Sequence, residues 1–355
     1  MRVFTTLPQE DLRQVAAAAQ EIEADGYDGV IATENKHDPF LALAIAGTVT
    51  RRIELHNGVA IAFARSPMAV AEAGWDLAGA TGGRFVVGLG SQVRAHNERR
   101  FSVPWSPPAP RMREYVQALR AIWRCWKTGE RLCYEGEHYR FTLMTPNFTP
   151  EPIAAPPPAI MIAAVGPAML RVAGEECDGV KLHGFCTRNY LADAVMPRLC
   201  AGLAKAGRRR ENFEISGGGF IATGPDDATV ARMFEWVRQR VAFYGSTPAY
   251  YPVLATHGLE DLGHKLNALV RQGRWGEMAK EVPDDVARLF AAVGRWDEIA
   301  KAIGERFGGF ADAINARANP EAPGHLPPDL IQDIRRLSST FAGFAAAWPV
   351  GRQPG

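Results

Sequence analysis

The sequence is poor in features that would each point to a particular class of protein. Only five of its 355 residues are cysteines, and none of them form a C-x-x-C pair. An odd number of scattered cysteines argues against a disulfide framework and predicts reduced, mostly buried thiols. The eight histidines show no H-E-x-x-H spacing, and we therefore predict no bound structural metal.

Long apolar runs and a strong net charge are also missing. No hydrophobic segment is long enough to cross a bilayer, and Met1 and Arg2 lead into a strand-like segment rather than a signal peptide. Forty basic against thirty-nine acidic residues leave a formal net charge of +1, so no long-range field attracts nucleic acid or an anionic membrane. These absences predict a cytoplasmic globular protein that binds neither.

What the sequence does contain is a regular alternation of short apolar strands and amphipathic helices. Eight strands are predicted, over 3–6, 29–32, 53–62, 84–87, 159–163, 179–182, 213–223 and 311–315. Irregular blocks near 130–158 and 245–284 interrupt the alternation, and a C-terminal helix is predicted near 329–344.

This alternation favours an α/β fold in which eight parallel strands close into a (β/α)8 barrel, a TIM barrel. An open doubly wound sheet would be expected to carry G-x-G-x-x-G directly after the first strand, and the sequence has none there. We expect one barrel domain over 1–355, with the two irregular blocks as insertions.

The most informative stretch is 82–100, where a buried strand leads into a polar loop. Gly88 and Gly90 can let a ligand approach the main chain, and Ser91 and Gln92 offer hydrogen bonds beyond them. A loop that merely contains glycines is the alternative. In a barrel, reactive groups lie on the loops that follow the strands, and the polar residues predicted there are Glu34, Asn35, His37, Arg65, Ser91, Arg94, His96 and His183.

A second glycine marks another candidate site. Gly166 and Pro167 open a predicted helix after the fifth strand. The first turn of a helix has free N–H groups, which makes this position a candidate phosphate site.

Taken together, these segments resemble the bacterial-luciferase-like family of flavin- or deazaflavin-dependent oxidoreductases. The resemblance is carried by A-A-x-x-I-E-A-D-G-Y-D-G-V near the start, F-A-R-S-P at 63–67, G-G-R-F-V-V-G-L-G-S at 82–91 and A-A-V-G-P at 163–167. Two further runs, W-S-x-P-x-x-R-M-R-E from Trp105 and F-Y-G-S-T-P-A-Y from Phe243, resemble its F420-dependent oxidoreductase branch. The family fold is a barrel of the predicted kind.

The resemblance implies a set of cofactor-binding residues. A non-prolyl cis peptide at Gly58–Val59 would support the ring, the turn after the fourth strand would lie over the ring and ribityl chain, and the 163–166 backbone would bind the cofactor phosphate. The implied residues are Gly58, Val59, Gly90, Ser91, Gln92, His96, Ala163, Ala164, Val165 and Gly166.

Proton transfer, where needed, would come from His37 or His96. The sequence departs from the family's sugar-phosphate dehydrogenases at Val93, where those enzymes place an acidic residue. Arg94 and His183 are candidate substrate contacts. Three of these residues have a structural alternative: a backbone contact in the loop for His37, an ion pair with Glu98 for Arg94, and simple packing for His183.

The resemblance implies an oxidoreductase that transfers hydride between a small organic substrate and coenzyme F420. One alternative is an FMN-dependent monooxygenase that uses reduced flavin and O2; another is a non-catalytic, cofactor-binding relative. A flavin or F420 reductase is an expected partner, and family members commonly form homodimers. Aromatic residues in and near the irregular blocks favour a hydrophobic or ring-containing substrate, and they are Trp105, Tyr139, Phe141, Phe148, Tyr250 and Tyr251.

Overall fold

Eight parallel strands close into a barrel in the computed structural model, which describes residues 1–316 and 324–345. Each strand pairs with the next along the chain, and the last pairs with the first. The strands are β1 (Arg2–Thr6), β2 (Gly29–Ala32), β3 (Glu54–Asn57), β4 (Phe85–Gly90), β5 (Ala159–Ala164), β6 (Gly179–Leu182), β7 (Glu214–Gly217) and β8 (Ala313–Asn315). The predicted α/β class and (β/α)8 barrel are confirmed.

Helices surround the barrel. The longer ones are α1 (Val15–Asp25), α2 (Pro39–Val49), α3 (Pro67–Thr81), α4 (Arg94–Arg99), α5 (Pro108–Thr128), α6 (Pro167–Glu176), α7 (Met196–Lys205), α8 (Asp227–Gly245), α9 (Glu260–Arg271), α10 (Ile299–Phe307) and α11 (Pro328–Arg335). Within the described ranges, none is both long and apolar enough to span a membrane.

Several of these helices begin at side-chain caps directly after a strand or its loop. Asp38 accepts a hydrogen bond from the Phe40 amide at 2.8 Å and starts α2, and Ser66 caps α3 in the same way. A proline in the first turn of each helix fixes the backbone for helix entry. Capping therefore sets where the strand-to-helix loops end at the carboxyl end of the barrel.

The third strand is shorter than the prediction of 53–62. β3 ends at Asn57, and pairing with β4 resumes only over Ala60–Ile61. The peptide bond between Gly58 and Val59, within this interruption, is cis. The bond lies where the family resemblance implies it.

The prediction of one seventh strand over 213–223 is wrong. Gly217 and Gly218 have φ angles of 85° and 101°, a left-handed conformation that breaks the extended chain and favours glycine. The chain then leaves the barrel, and Phe220–Gly224 pairs in parallel with Ala291–Arg295 in a separate two-stranded sheet.

The C-terminal helix also differs from the predicted 329–344, because α11 ends at Arg335. Beyond it, the buried carboxylate of Asp312 accepts hydrogen bonds from Ser339 Oγ at 2.9 Å and from the Phe341 amide at 3.0 Å. These bonds hold the chain against the entry to β8 instead of letting the helix continue. Segments 317–323 and 346–355 of the predicted domain lie outside the described residues.

Candidate active site at the carboxyl end of the barrel

Small residues lie at the carboxyl ends of β4 and β5 and directly after β3. A Cβ added to Gly90 would lie 2.5 Å from Val59 Cγ2 and 3.9 Å from Ala163 Cβ, which shows that these three residues are neighbours. A Cβ added to Gly88 would lie 2.9 Å from Lys181 Cε and closer still to the Asn57 carbonyl oxygen. Main chain and small side chains therefore form a floor here, which we call the glycine floor (Gly58, Gly88, Gly90 and Ala163).

The start of α6 is open beside this floor. Gly166 is the N-cap, no side chain caps the helix, and a Cβ added to Gly166 would meet nothing within 4 Å. The hydroxyl of Tyr190 donates to the Val165 carbonyl at 3.0 Å and fixes the preceding turn. A helix N-terminus of this kind can hold a phosphate group.

Asn97 fixes the loop after β4 through hydrogen bonds to the main chain of that loop. This fully buried residue donates from Nδ2 to the carbonyls of Ser91 at 2.9 Å and Val93 at 3.2 Å. Gln92 has a φ of 55°, and its side chain accepts from the Val93 amide at 2.8 Å. Sequence reasoning missed Asn97, although its place one turn into a helix that follows a polar loop is a signal for side-chain-to-backbone bonding.

Glu34 joins the loops that follow β2 and β3. Its carboxylate accepts from the Ile61 amide at 2.6 Å and from Arg65 Nη1 at 2.7 Å, while Arg65 Nη2 binds Asp38 at 2.7 Å. Of the polar residues predicted after these two strands, Glu34 and Arg65 thus stabilise the loops around the barrel opening.

The predicted proton-transfer residues lie at the surface. His37 and His96 are exposed, and neither imidazole has a hydrogen-bond partner in the part of the chain that the structure describes. Arg94 is exposed and pairs with Glu98 at 3.0 Å, which is the structural alternative named for it. The structure brings the floor residues together but does not bring these three side chains into hydrogen-bond contact with them.

His183 is half-buried directly after β6. Its ring lies 4.3 Å from the ring of Tyr244, edge to face, and 4.9 Å from that of Tyr250. Its Nδ1 accepts a hydrogen bond from the Phe185 amide at 2.9 Å. Burial lowers the pKa of the imidazole to about 4.

The barrel interior below the floor carries a line of charged groups that sequence reasoning missed. Lys181 Nζ donates to Nδ1 of His56 at 3.0 Å, and His56 Nε2 lies 2.8 Å from Glu54. Burial, followed by the charge of Lys181, lowers the pKa of His56 to about 3, and burial lowers the pKa of Lys181 to about 8. Glu54 and His56 occupy alternate positions of β3, which place both on one side of the strand.

Arg2 forms ion pairs at the end of this line that is farther from Lys181. Arg2 binds Glu54 at 2.7 Å and also contacts Glu214, which is fully buried. Burial raises the pKa of Glu214. A charged residue at an inward-facing strand position was the available signal for this network.

A buried cation joins two loops at the same side of the barrel. Arg306 is 8 % exposed and donates from Nη2 to the carbonyls of Cys186 at 2.5 Å and Gly218 at 2.9 Å. Among the described residues it has no acidic partner, and burial lowers its pKa to about 10. The loops that follow β6 and β7 are therefore tied to one guanidinium.

Comparison with known proteins places this barrel in a family. The chain is 47 % identical over 314 residues to the uncharacterized protein Rv1360 of Mycobacterium tuberculosis, covering 88 % of this chain and 92 % of that one. It is 30 % identical over 292 residues to the 5,10-methylenetetrahydromethanopterin reductase of Archaeoglobus fulgidus, covering 80 % and 82 %.

A solved structure shows the same fold. The coenzyme F420-dependent tetrahydromethanopterin reductase of Methanopyrus kandleri superposes with a TM-score of 0.74 at 19 % identity, covering 95 % of this chain and 97 % of that one. The profile of the luciferase-like monooxygenase family matches residues 2–313. The chain thus belongs to the luciferase-like monooxygenase family and is an oxidoreductase enzyme.

Proposed function

We propose that this enzyme transfers a hydride between a small organic substrate and coenzyme F420 held at the carboxyl end of the barrel. The observation that carries the proposal is the glycine floor beside the open N-terminus of α6. A flat surface of main chain suits a planar ring, and an uncapped helix start suits a phosphate. A relative from Mycobacterium tuberculosis that is 30 % identical over 311 residues, the putative coenzyme F420-dependent oxidoreductase Rv3520c, supports a deazaflavin.

The residues fit such a group. Gly58, Val59 and Gly90 would lie against the ring, with Ser91 and Gln92 beyond them. Because the Gln92 side chain is turned to the Val93 amide, its contribution would come from the main chain. Ala163, Ala164, Val165 and Gly166 would hold the phosphate.

When bound, F420 supplies the two-electron redox chemistry, and the protein supplies orientation and exclusion of water. Oxidation of an alcohol carbon releases a hydride to the cofactor and a proton to a base. We retain His37 and His96 as the candidates for that base; replacing the correct one with Asn should lower kcat by a hundredfold or more.

Binding of oxidised F420 and of FMN, measured side by side by calorimetry, tests the proposal. We expect tighter binding of F420 and loss of that binding in Gly90→Val, because the new side chain would overlap Val59, whose Cγ2 lies 2.5 Å from the added Cβ, and would displace it from the floor. Gly276→Val is the matched control, since a Cβ there meets nothing within 4 Å. Equal binding by wild type and Gly90→Val would contradict the assigned floor.

An FMN-dependent monooxygenase is the second candidate, and the description of the matching family favours it. Such an enzyme would take reduced FMN from a reductase partner and consume O2. Oxygen uptake with reduced FMN and tighter binding of FMN would make this candidate the function. Cofactor binding without turnover on any substrate panel would instead indicate a non-catalytic relative.

A further inference from the structure

His183 lies directly after the carboxyl end of β6 and contacts two tyrosines from outside the barrel. In β6, Lys181 points into the barrel and contacts His56. Side chains alternate along a strand, so His183, two residues later, lies on the same side as Lys181. Tyr244 ends α8 and Tyr250 lies in the second irregular block. All three side chains are half-buried, so they form an aromatic wall (His183, Tyr244 and Tyr250) at the rim.

The hydrogen bonding of His183 fixes which nitrogen carries its proton. Nδ1 accepts from the Phe185 amide at 2.9 Å, so the proton of the neutral ring is on Nε2. Nε2 has no hydrogen-bond partner within residues 1–316 and 324–345. With its pKa lowered to about 4 by burial, the imidazole is a neutral donor at physiological pH rather than a cation.

We propose that the aromatic wall binds a neutral, ring-containing substrate, with His183 Nε2 donating a hydrogen bond to an oxygen of that substrate. The inference rests on the proposed function, because it gives the same site a substrate class. Tyr244 and Tyr250 supply apolar ring surface, which favours a planar or alicyclic body. A neutral imidazole gives no charge to attract a carboxylate or phosphate.

The donor also suits the chemistry proposed for the site. The carbon that exchanges hydride in an alcohol or ketone carries an oxygen, and a hydrogen bond to a ketone oxygen favours hydride addition to its carbon. His183 is thus the specificity-determining contact, and the tyrosines determine the shape of substrate that reaches it.

The test compares three probes that differ in one feature each: acetophenone, ethylbenzene without the oxygen, and benzoate with a charge. Their binding is measured by calorimetry on protein with and without F420. Wild type should bind acetophenone about tenfold more tightly than ethylbenzene, as one hydrogen bond provides, and benzoate more weakly than acetophenone. His183→Phe should lose the tenfold preference, and Tyr250→Leu should weaken both neutral probes.

Two further variants separate donation from folding. His183→Gln retains an N–H donor and should keep part of the preference, whereas His138→Phe, in the 134–141 hairpin, should match wild type. Thermal melting of each variant checks that it is folded.

An unchanged acetophenone preference in folded His183→Phe would overturn the inference, as would benzoate binding at least as tightly as acetophenone, or no binding of either neutral probe at millimolar concentration. F420 and FMN titrations on the same samples report the proposed function separately. A protein that binds neither cofactor but shows the acetophenone preference refutes that function and leaves the aromatic wall intact.

Discussion

Individual glycine residues, which lack a side chain, determine what can bind at the carboxyl end of this barrel. At Gly88 the nearest neighbour of an added Cβ is backbone, the Asn57 carbonyl, and backbone in a barrel strand cannot move aside cheaply. Glycine in the floor is therefore required by the close approach of the strands as much as by the binding of a ligand.

Gly88→Ala should lower the free energy of unfolding by about 1–3 kcal/mol, because the new methyl group overpacks a site bounded by main chain. Urea denaturation measures the change. Gly276→Ala, where the added carbon meets no neighbour, should stay within about 0.5 kcal/mol of wild type. Equal stability of the two variants would show that the strands can separate without cost.

His56 should make the protein sensitive to acid. Its pKa is about 3 in the folded state against an ordinary value of 6.5, so between these values the unfolded chain binds the proton and the folded chain does not. The free energy of unfolding should fall as pH decreases from 6.5 to 3, by up to a few kcal/mol from this group. The same contribution is fully present above pH 6.5.

Denaturation across this pH range in wild type and His56→Gln measures the contribution as a difference in slope. His138→Gln serves as the control and should follow wild type. Parallel curves for wild type and His56→Gln would mean that folding leaves the pKa of His56 unchanged.

At the scale of elements, the sequence predicts the regular parts well and the interrupted parts poorly. β2 and β6 have the predicted bounds, and α6 begins at the predicted Pro167, because each is a short apolar run or amphipathic turn limited by glycine, proline or acidic residues. The sequence predicts a β7 that is too long, because its glycines are compatible with an extended strand and only their φ angles show that the strand ends there.

The sequence likewise predicts the local parts of the candidate site but not its long-range contacts. Its glycine loop and helix start are local motifs, and both are visible in the sequence. The Lys181–His56 bond joins residues 125 positions apart, and the contact of His183 with Tyr244 crosses from a strand to a distant helix. No local pattern encodes such pairs, so only the closed barrel reveals them.

Asp312 joins three elements, since it also accepts from Arg210 Nη2 and from the Ile215 amide at 2.8 Å each. Asp312→Asn should cost about 3–5 kcal/mol, because it leaves the half-buried Arg210 and several amides with an impaired acceptor. Limited proteolysis should then cut first within 336–345. Asp333→Asn, at an exposed ion pair, is the control; resistance of 336–345 in Asp312→Asn would contradict the prediction.

At the scale of the whole molecule, the notable surface feature is the exposed apolar side of α2. Its sequence P-F-L-A-L-A-I-A-G-T-V is apolar on all sides, yet Leu41 is 56 % exposed. A helix that is hydrophobic all round is normally buried. Leu41 and Ala44 are exposed and Ile45 is half-buried, and their spacing places them in one apolar patch of the kind that marks a contact surface. We propose a homodimer in which α2 is covered by the partner.

Light scattering should give a dimer mass for wild type and a monomer mass for Leu41→Glu, because a buried unpaired carboxylate opposes association. Leu143→Glu replaces a side chain that is 77 % exposed on the first irregular block and should leave the dimer intact. A monomeric wild type, or a dimeric Leu41→Glu, would remove α2 from the interface.

The guanidinium of Arg306 constrains how this barrel can be re-engineered or can diverge. Loops of (β/α)8 enzymes are often treated as interchangeable modules, but here Cys186 and Gly218 share one buried donor. A graft that replaces either loop alone withdraws one acceptor from a cation with no acidic counterpart among the described residues. The two loops that follow β6 and β7 should therefore change together in evolution and in design. Libraries that vary both loops should yield more folded members than libraries that vary one.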